Sequence, residues 1–454
     1  MLVLFLIVAI AFAIFYGIIN ADIVGYLKFF LVVVEMVLVG QLLIWRYKLS
    51  GEYGLILLKS KRGLDIINHL AKYENLWRFL SDAGAVMSYG FLSLVLMSKN
   101  VSWKSLITGL FLLTVIFGVV APFVLPFLIN TIGFSAVEKT IQQNNAVSDI
   151  ASLSIIIIYA GGLFLLLLLS LLGYGVFIIS ALLSTIFHGT EAISKAPPGG
   201  TFLLPGINLP FFEGIAALVI ILVVHEGAHA ILARIAKIPV QSSGIALFGV
   251  LPIGAFVEPD ENKLKKLEAT KQTRVLVAGS TANLLTSILF FIIFFGFFSL
   301  TADYREQGLL VLNGIGNIEN NTIIHSANGQ EINPSTYSKM NLPKNSEVVL
   351  QTNKGEITAK TNDKGMLGIV VRPLVKDSIF AKYTSPILDF IYMLLGLTFS
   401  LNFVIGSVNL LPLPFFDGYR TLEVNIQNKL IVKALMALTL AAFIANFLPW
   451  FFVK

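Results

Sequence analysis

The chain has 454 residues, of which 56% are hydrophobic and only 13% charged, a balance foreign to soluble domains that places it in a membrane. It has no cysteine, which excludes disulfides and thiolate metal sites and leaves His, Asp and Glu as the possible metal ligands. The net charge of +6 does not indicate nucleic acid. Lys and Arg gather in short loops beside apolar runs, where sorting of positive charge to the cytoplasmic side puts them.

Taken from the start, residues 1–19 are apolar with no charged leader and no small-residue cleavage site, so a retained span is expected rather than a cleaved signal. A helix needs about 20 apolar residues to cross the hydrocarbon core. Runs of that kind lie near 1–19, 26–45, 104–128, 153–175, 213–235, 275–299, 384–411 and 430–451, and a shorter one covers 82–98. The expected fold is therefore an all-α polytopic membrane protein with eight or nine transmembrane helices. The apolar stretch 151–187 is too long for one upright span and requires either tilt or an added interfacial segment. From Gly63 to Leu80, apolar and charged residues mix at near-helical spacing, which suits a helix on the membrane surface or a plain connector.

Basic residues crowd three segments: Arg46 to Arg78, Lys263 to Arg274, and Arg420 to Lys433. With 82–98 counted as a span, alternation puts all three on the cytoplasmic side of a cell membrane and residues 188–212 and 300–383 on the other. Two segments depart from the helical pattern. Residues 241–258 are apolar but broken by three Gly and a Pro, as expected of a β-hairpin dipping into the membrane. Residues 302–375 are polar with short β-type runs and form a small β-rich domain outside the bilayer. Within it, Ile323 to Ile332 reads as a strand, an Asn328-Gly329 turn and a return strand.

The chemistry lies in His225-Glu226-Gly227-Ala228-His229. On a helix, positions i and i+4 share a face, so both imidazoles can bind one zinc ion with Glu226 beside it as general base. The run Leu218 to Val224 leads into it without a polar break, and ionisable groups at bilayer depth are costly and usually functional. His69, His188 and His325 sit in polar or terminal positions and read as surface residues. A catalytic zinc takes a third protein ligand, and Asp417 is the candidate. It closes Asn409-Leu-Leu-Pro412-Leu-Pro414-Phe-Phe-Asp417-Gly418, where two prolines deny the backbone a regular helix. Gly279-Ser-Thr-Ala-Asn283 allows close helix approach and puts one amide inside the bundle. Glu35, alone in an apolar run, reads as an interhelical polar contact.

In order, His225-Glu-x-x-His229, Gly279-x-x-x-Asn283 and Asn409-x-x-Pro412-x-Pro414-x-x-Asp417-Gly418 resemble the site-2 protease family of intramembrane zinc metalloproteases. The resemblance covers about residues 210–451. It implies zinc held by His225, His229 and Asp417, Glu226 as base, and Asn283 and Asn409 holding the substrate backbone or stabilising an oxyanion. Many members have Pro where this chain has Ser280. The resemblance further implies a first half of the protease core at 210–300, a PDZ-like domain at 302–375 on the side opposite the basic loops, and a second half at 384–454. Residues 1–200 form a multi-span extension that it does not cover. The expected activity is hydrolysis of peptide bonds within membrane-spanning protein substrates, with the re-entrant hairpin offering an unpaired strand edge to the unwound chain. A transporter using the same residues as a relay would need internal repeats, which the sequence lacks. An inactive scaffold would have no use for Glu226.

Overall fold

The computed structural model describes residues 2–97, 101–132, 147–332, 342–374 and 382–452, apart from positions 22, 24, 190, 202 and 207. Among these, eight helices are long and apolar enough to cross a membrane, each at a place the hydropathy marks. The chain opens with α1 (Leu2–Asn20) and α2 (Gly25–Tyr47), followed by the short strands β1 (Ser50–Glu52) and β2 (Leu55–Lys59). Next come α3 (Lys61–Leu70), α4 (Glu74–Tyr89) and α5 (Leu92–Leu96). Helix α6 (Trp103–Val115) runs through a π-helical turn into α7 (Ala121–Ile132), and α8 (Val147–His188) completes the N-terminal region.

Three expectations for this region are sharpened. The short candidate 82–98 is not one continuous helix and so is not among the eight: α4 ends at Tyr89, Gly90 breaks the helix with φ 56°, and α5 follows. Every residue from Ser81 to Tyr89 is nonetheless buried, because α6 and α8 pack around α4; protein, not lipid, covers it. The long apolar stretch is divided by a non-helical residue, Gly162 (φ 64°, ψ −160°), inside α8. A Cβ at Gly162 would collide with the backbone at Ser88 and Tyr89, so the break is where two chains meet backbone to backbone. The amphipathic segment after Gly63 becomes α3, whose Leu64, Ile67 and Leu70 pack against Leu232, Val275 and their neighbours.

Helix α9 (Phe211–Ile235) carries the HExxH run and leads into the hairpin β3 (Val240–Phe248) and β4 (Leu251–Pro259). Gly249, at φ 62°, turns the chain between them. The hairpin is as expected in place and pairing, but not in its neighbours. Strand β2 pairs antiparallel with β3, Ile56 opposite Leu247, giving a four-stranded sheet in the order β1-β2-β3-β4. Of the hairpin's two edges, β2 closes one; among the described residues β4 keeps the other, the unpaired edge that the resemblance implies. Lys59 pairs with Glu258 at 3.1 Å. Donation from Ser242 foremost, and then from Lys59, holds the Glu258 carboxyl below its ordinary value.

Helix α10 (Ala269–Leu300) leaves this first unit beyond Phe291. The second unit, Ile292–Met393, contains β5 (Gly308–Asn313), β6 (Ile323–Ala327), β7 (Gln330–Glu331), β8 (Glu347–Thr352), β9 (Gly355–Lys360) and β10 (Val370–Leu374). They form an antiparallel sheet in the order β10-β5-β6-β8-β9, with β7 paired to β6. The Asn328-Gly329 turn is present: both residues have positive φ, 47° and 78°, and Ala327 pairs with Gln330. The Asn328 side chain accepts from Val349 N at 2.9 Å, fixing the turn to β8. The helix that a PDZ-like domain places after this turn falls on residues 333–341, outside the described residues. The first unit resumes within α11 (Pro386–Val408) and ends with α12 (Asp417–Asn425) and α13 (Lys429–Phe447).

Candidate metal centre

On α9 the two imidazoles stack along one face, with His225 Nε2 and His229 Nε2 3.2 Å apart. The third group arrives from 188 residues further on. Helix α11 cannot continue past Leu410, because Pro412 and Pro414 lack the donors a helix needs. The chain instead passes through Phe415 at φ 72° and restarts as α12 with Asp417 in its first turn, where the helix dipole favours a carboxylate. The turn is tied back by Gly418 N donating to the Asn409 carbonyl at 2.9 Å. A Cβ on Gly418 would strike the Leu410 carbonyl. Asp417 Oδ2 thereby reaches 3.3 Å from His225 Nε2 and 3.0 Å from His229 Nε2.

The outer nitrogens of both rings are engaged. His229 Nδ1 lies 2.7 Å from the Val275 carbonyl on α10, so Nδ1 carries the proton and Nε2 presents its lone pair. His225 Nδ1 lies 3.1 Å from the Asn283 amide; with the amide oxygen toward the ring it accepts the Nδ1 proton and frees Nε2 in the same way. Asn283 is fully buried. Asn409 donates to Asp417 Oδ2 at 2.7 Å and lies 3.2 Å from His225 Nε2. Both amides assigned to the substrate on resemblance are thus engaged with ligand side chains, work that motif spacing could not reveal.

Gly279 is the residue sequence reasoning undervalued. A Cβ there would run into both imidazoles, so glycine keeps the ligand atoms free as well as letting helices approach. Glu226 is half-buried and makes no hydrogen bond or ion pair among the described residues, although His229 feels its charge. His69, His188 and His325 stand outside the cluster; His325 pairs with Glu306 at 3.0 Å.

The donor atoms of His225, His229 and Asp417 lie within 4.8 Å of one another. Two neutral imidazoles and one carboxylate, each held from behind, fit a tetrahedral divalent zinc with one position left for water or substrate. A HExxH helix with a distant carboxylate, set among apolar helices long enough to span, is the donor arrangement of a metallopeptidase site at membrane depth. The sequence profile of Peptidase family M50 matches residues 213–448, and the chain belongs to that family, which includes the site-2 proteases. It is also similar to an uncharacterized protein of Methanocaldococcus jannaschii, 31% identical over 245 residues, which are 52% of this chain and 62% of that protein. The chain thus spans less than two-thirds of that relative's length. Both the zinc-ligand run and Asp417 fall inside the family match, whereas α1 to α8 precede it.

Proposed function

We propose that the protein is an intramembrane zinc endopeptidase that cuts peptide bonds within or near the spanning segments of other membrane proteins, in the manner of regulated intramembrane proteolysis. The observation that carries this reading is the convergence of His225 and His229, within the long apolar helix α9, on Asp417 at the start of α12, with Glu226 beside them on α9. His225 Nε2, His229 Nε2 and Asp417 Oδ2 would hold the ion. When bound, zinc supplies Lewis acidity, polarising a peptide carbonyl and making water nucleophilic near neutral pH. Glu226 takes the proton from the attacking water and returns it to the departing amine. Val275 and Asn283 keep both imidazoles in the ligating tautomer, and Asn409 orients the carboxylate.

A helical substrate hides its peptide bonds in hydrogen bonds, so it must unwind before it can be cut. The edge of β4 suits the extended chain. β4 lies along α9, and Gly254 lets the two approach so closely that a Cβ would strike Leu222, one turn before His225. An unwound peptide added there would pass beside the ligand atoms. A cytoplasmic site is our reading of the basic segments near it, which side-chain pairs tie together: Arg274 to Asp82, Arg420 to Glu261, and Arg234 to Asn68. The β-rich second unit reads as a PDZ-like domain that screens or recruits substrates.

The test is Glu226→Gln in purified protein incubated with a membrane-spanning substrate in liposomes. Zinc content should stay at wild-type level while cleavage falls by at least about 100-fold. Full cleavage by the variant would remove Glu226 as the base.

A further inference from the structure

Three consecutive residues near the start of α10 reach three different helices. Thr273, Arg274 and Val275 are each turned about 100° from the last around the helix axis. The Val275 carbonyl meets His229 Nδ1 of α9 at 2.7 Å. The Thr273 hydroxyl accepts from Asn425 Nδ2 at 2.7 Å and donates to the Ala269 carbonyl at 2.9 Å; Asn425 closes α12, the helix that Asp417 opens. Arg274 turns to α4, where it forms a bidentate pair with Asp82, Nε to Oδ1 at 2.6 Å and Nη2 to Oδ2 at 2.9 Å. Ser81 Oγ of α4 donates to the Arg274 carbonyl at 2.9 Å.

The helix carrying both histidines and the helix carrying the aspartate are thus fastened to a single turn of α10. That turn is the second of a helix that begins at Ala269, and helix ends fray because they lack part of their own hydrogen bonding. Ligand distances in a metal centre hold to within about 0.2 Å, so the turn needs an outside restraint. Helix α4 supplies one. An Arg–carboxylate fork fixes direction as well as distance, and Asp82 and Ser81 are both buried, where water competes little for these bonds. Two turns along α10, Gly84 of α4 comes so near Thr281 that a Cβ on it would strike that side chain. Trp77 of α4 packs on the apolar cluster that contains Val275. Because α4 precedes the family match, the restraint comes from outside the peptidase core.

Resting on the zinc reading above, we propose that Asp82 is a positioning residue of the metal centre, acting through Arg274 on the turn that seats His229 and the Asp417 helix. Clamping Arg274 sets where the Val275 carbonyl stands, and with it the ring angle of His229. It also sets where Thr273 receives Asn425. Ser81 and Asn425 serve the same junction from its two sides. By this route the N-terminal region governs the geometry of a site whose ligands all lie elsewhere.

Asp82→Asn keeps the size of the side chain but removes the charge and one of the two acceptors; Ser81→Ala and Asn425→Ala each delete one bond of the junction. Zinc affinity by chelator competition, the visible spectrum of the cobalt-substituted protein, and unfolding of the zinc-free protein in detergent should be measured for wild type and all three variants. Removing a group directly behind a metal ligand costs about 10–100-fold in affinity. Asp82 stands one step further back, so zinc binding about tenfold weaker is expected in Asp82→Asn, with a shifted cobalt band because the ligand angles change. Ser81→Ala and Asn425→Ala should show the same shift with smaller losses. A folded Asp82→Asn with wild-type affinity and cobalt spectrum overturns the inference and leaves the peptidase reading intact. The pair would then serve stability alone, however far its unfolding moved. Should Asp82→Asn fail to fold, wild-type affinity and spectrum in both other variants overturn it. Failure of the wild type to bind zinc overturns the peptidase reading as well.

Discussion

The residues that match the peptidase family and those that precede them carry their information differently. From Phe211 onward the chemistry is local in sequence: two histidines four apart, a glycine and an amide four apart, a proline-broken turn ending in Asp417. In the first 188 residues no such pattern occurs, yet β2 extends the hairpin and α4 is pinned to α10 through Asp82 and Arg274. Ligand sets are written in motifs because chemistry restricts residue type at each position. A supporting wall restricts only shape and burial, which many sequences satisfy.

If that contrast is right, the largest effect belongs to a motif residue. Asp417→Ala should abolish stoichiometric zinc by elemental analysis, since two imidazoles alone make a weak site; full zinc in this variant would mean that the third ligand lies elsewhere. Next comes the wall. Asp82→Ala strands Arg274, whose side chain is only 20% exposed, and should destabilise the protein by roughly 2–4 kcal/mol in thermal or denaturant unfolding. A change near zero would mean that α4 merely rests on the core. The smallest effect is expected at the sheet tether. Both groups of the Lys59 to Glu258 pair are at least a third exposed, so Lys59→Ala should cost less than about 1 kcal/mol. Because the Glu258 carboxyl sits below its ordinary value, that contribution is present at neutral pH and disappears as pH falls through the depressed value. Wild type and variant should therefore converge in acid.

Much of this was legible in the residues themselves. Hydropathy marks all eight spans because lipid accepts only long apolar helices, and Gly and Pro punctuation marks the hairpin. What escaped was set by neighbours. Residues 82–98 look like a short span because burial in protein and burial in lipid select the same apolar side chains; Gly90 and its close contact with the backbone at Tyr159 make the difference. β1 and β2 are three and five residues long, too brief for a period-two pattern to stand out, and the strand that β2 joins lies about 190 residues away. Asn283 and Gly279 were visible as a packing motif, but their service to His225 and His229 depends on which face of α10 meets α9.

The closure of β3 by β2 makes the hairpin one-sided. A free hairpin has two open edges, on strands that run in opposite directions, and an extended chain could dock on either. With one side sealed by the protein's own backbone, a strand added as proposed above would meet a single template, the β4 edge beside α9.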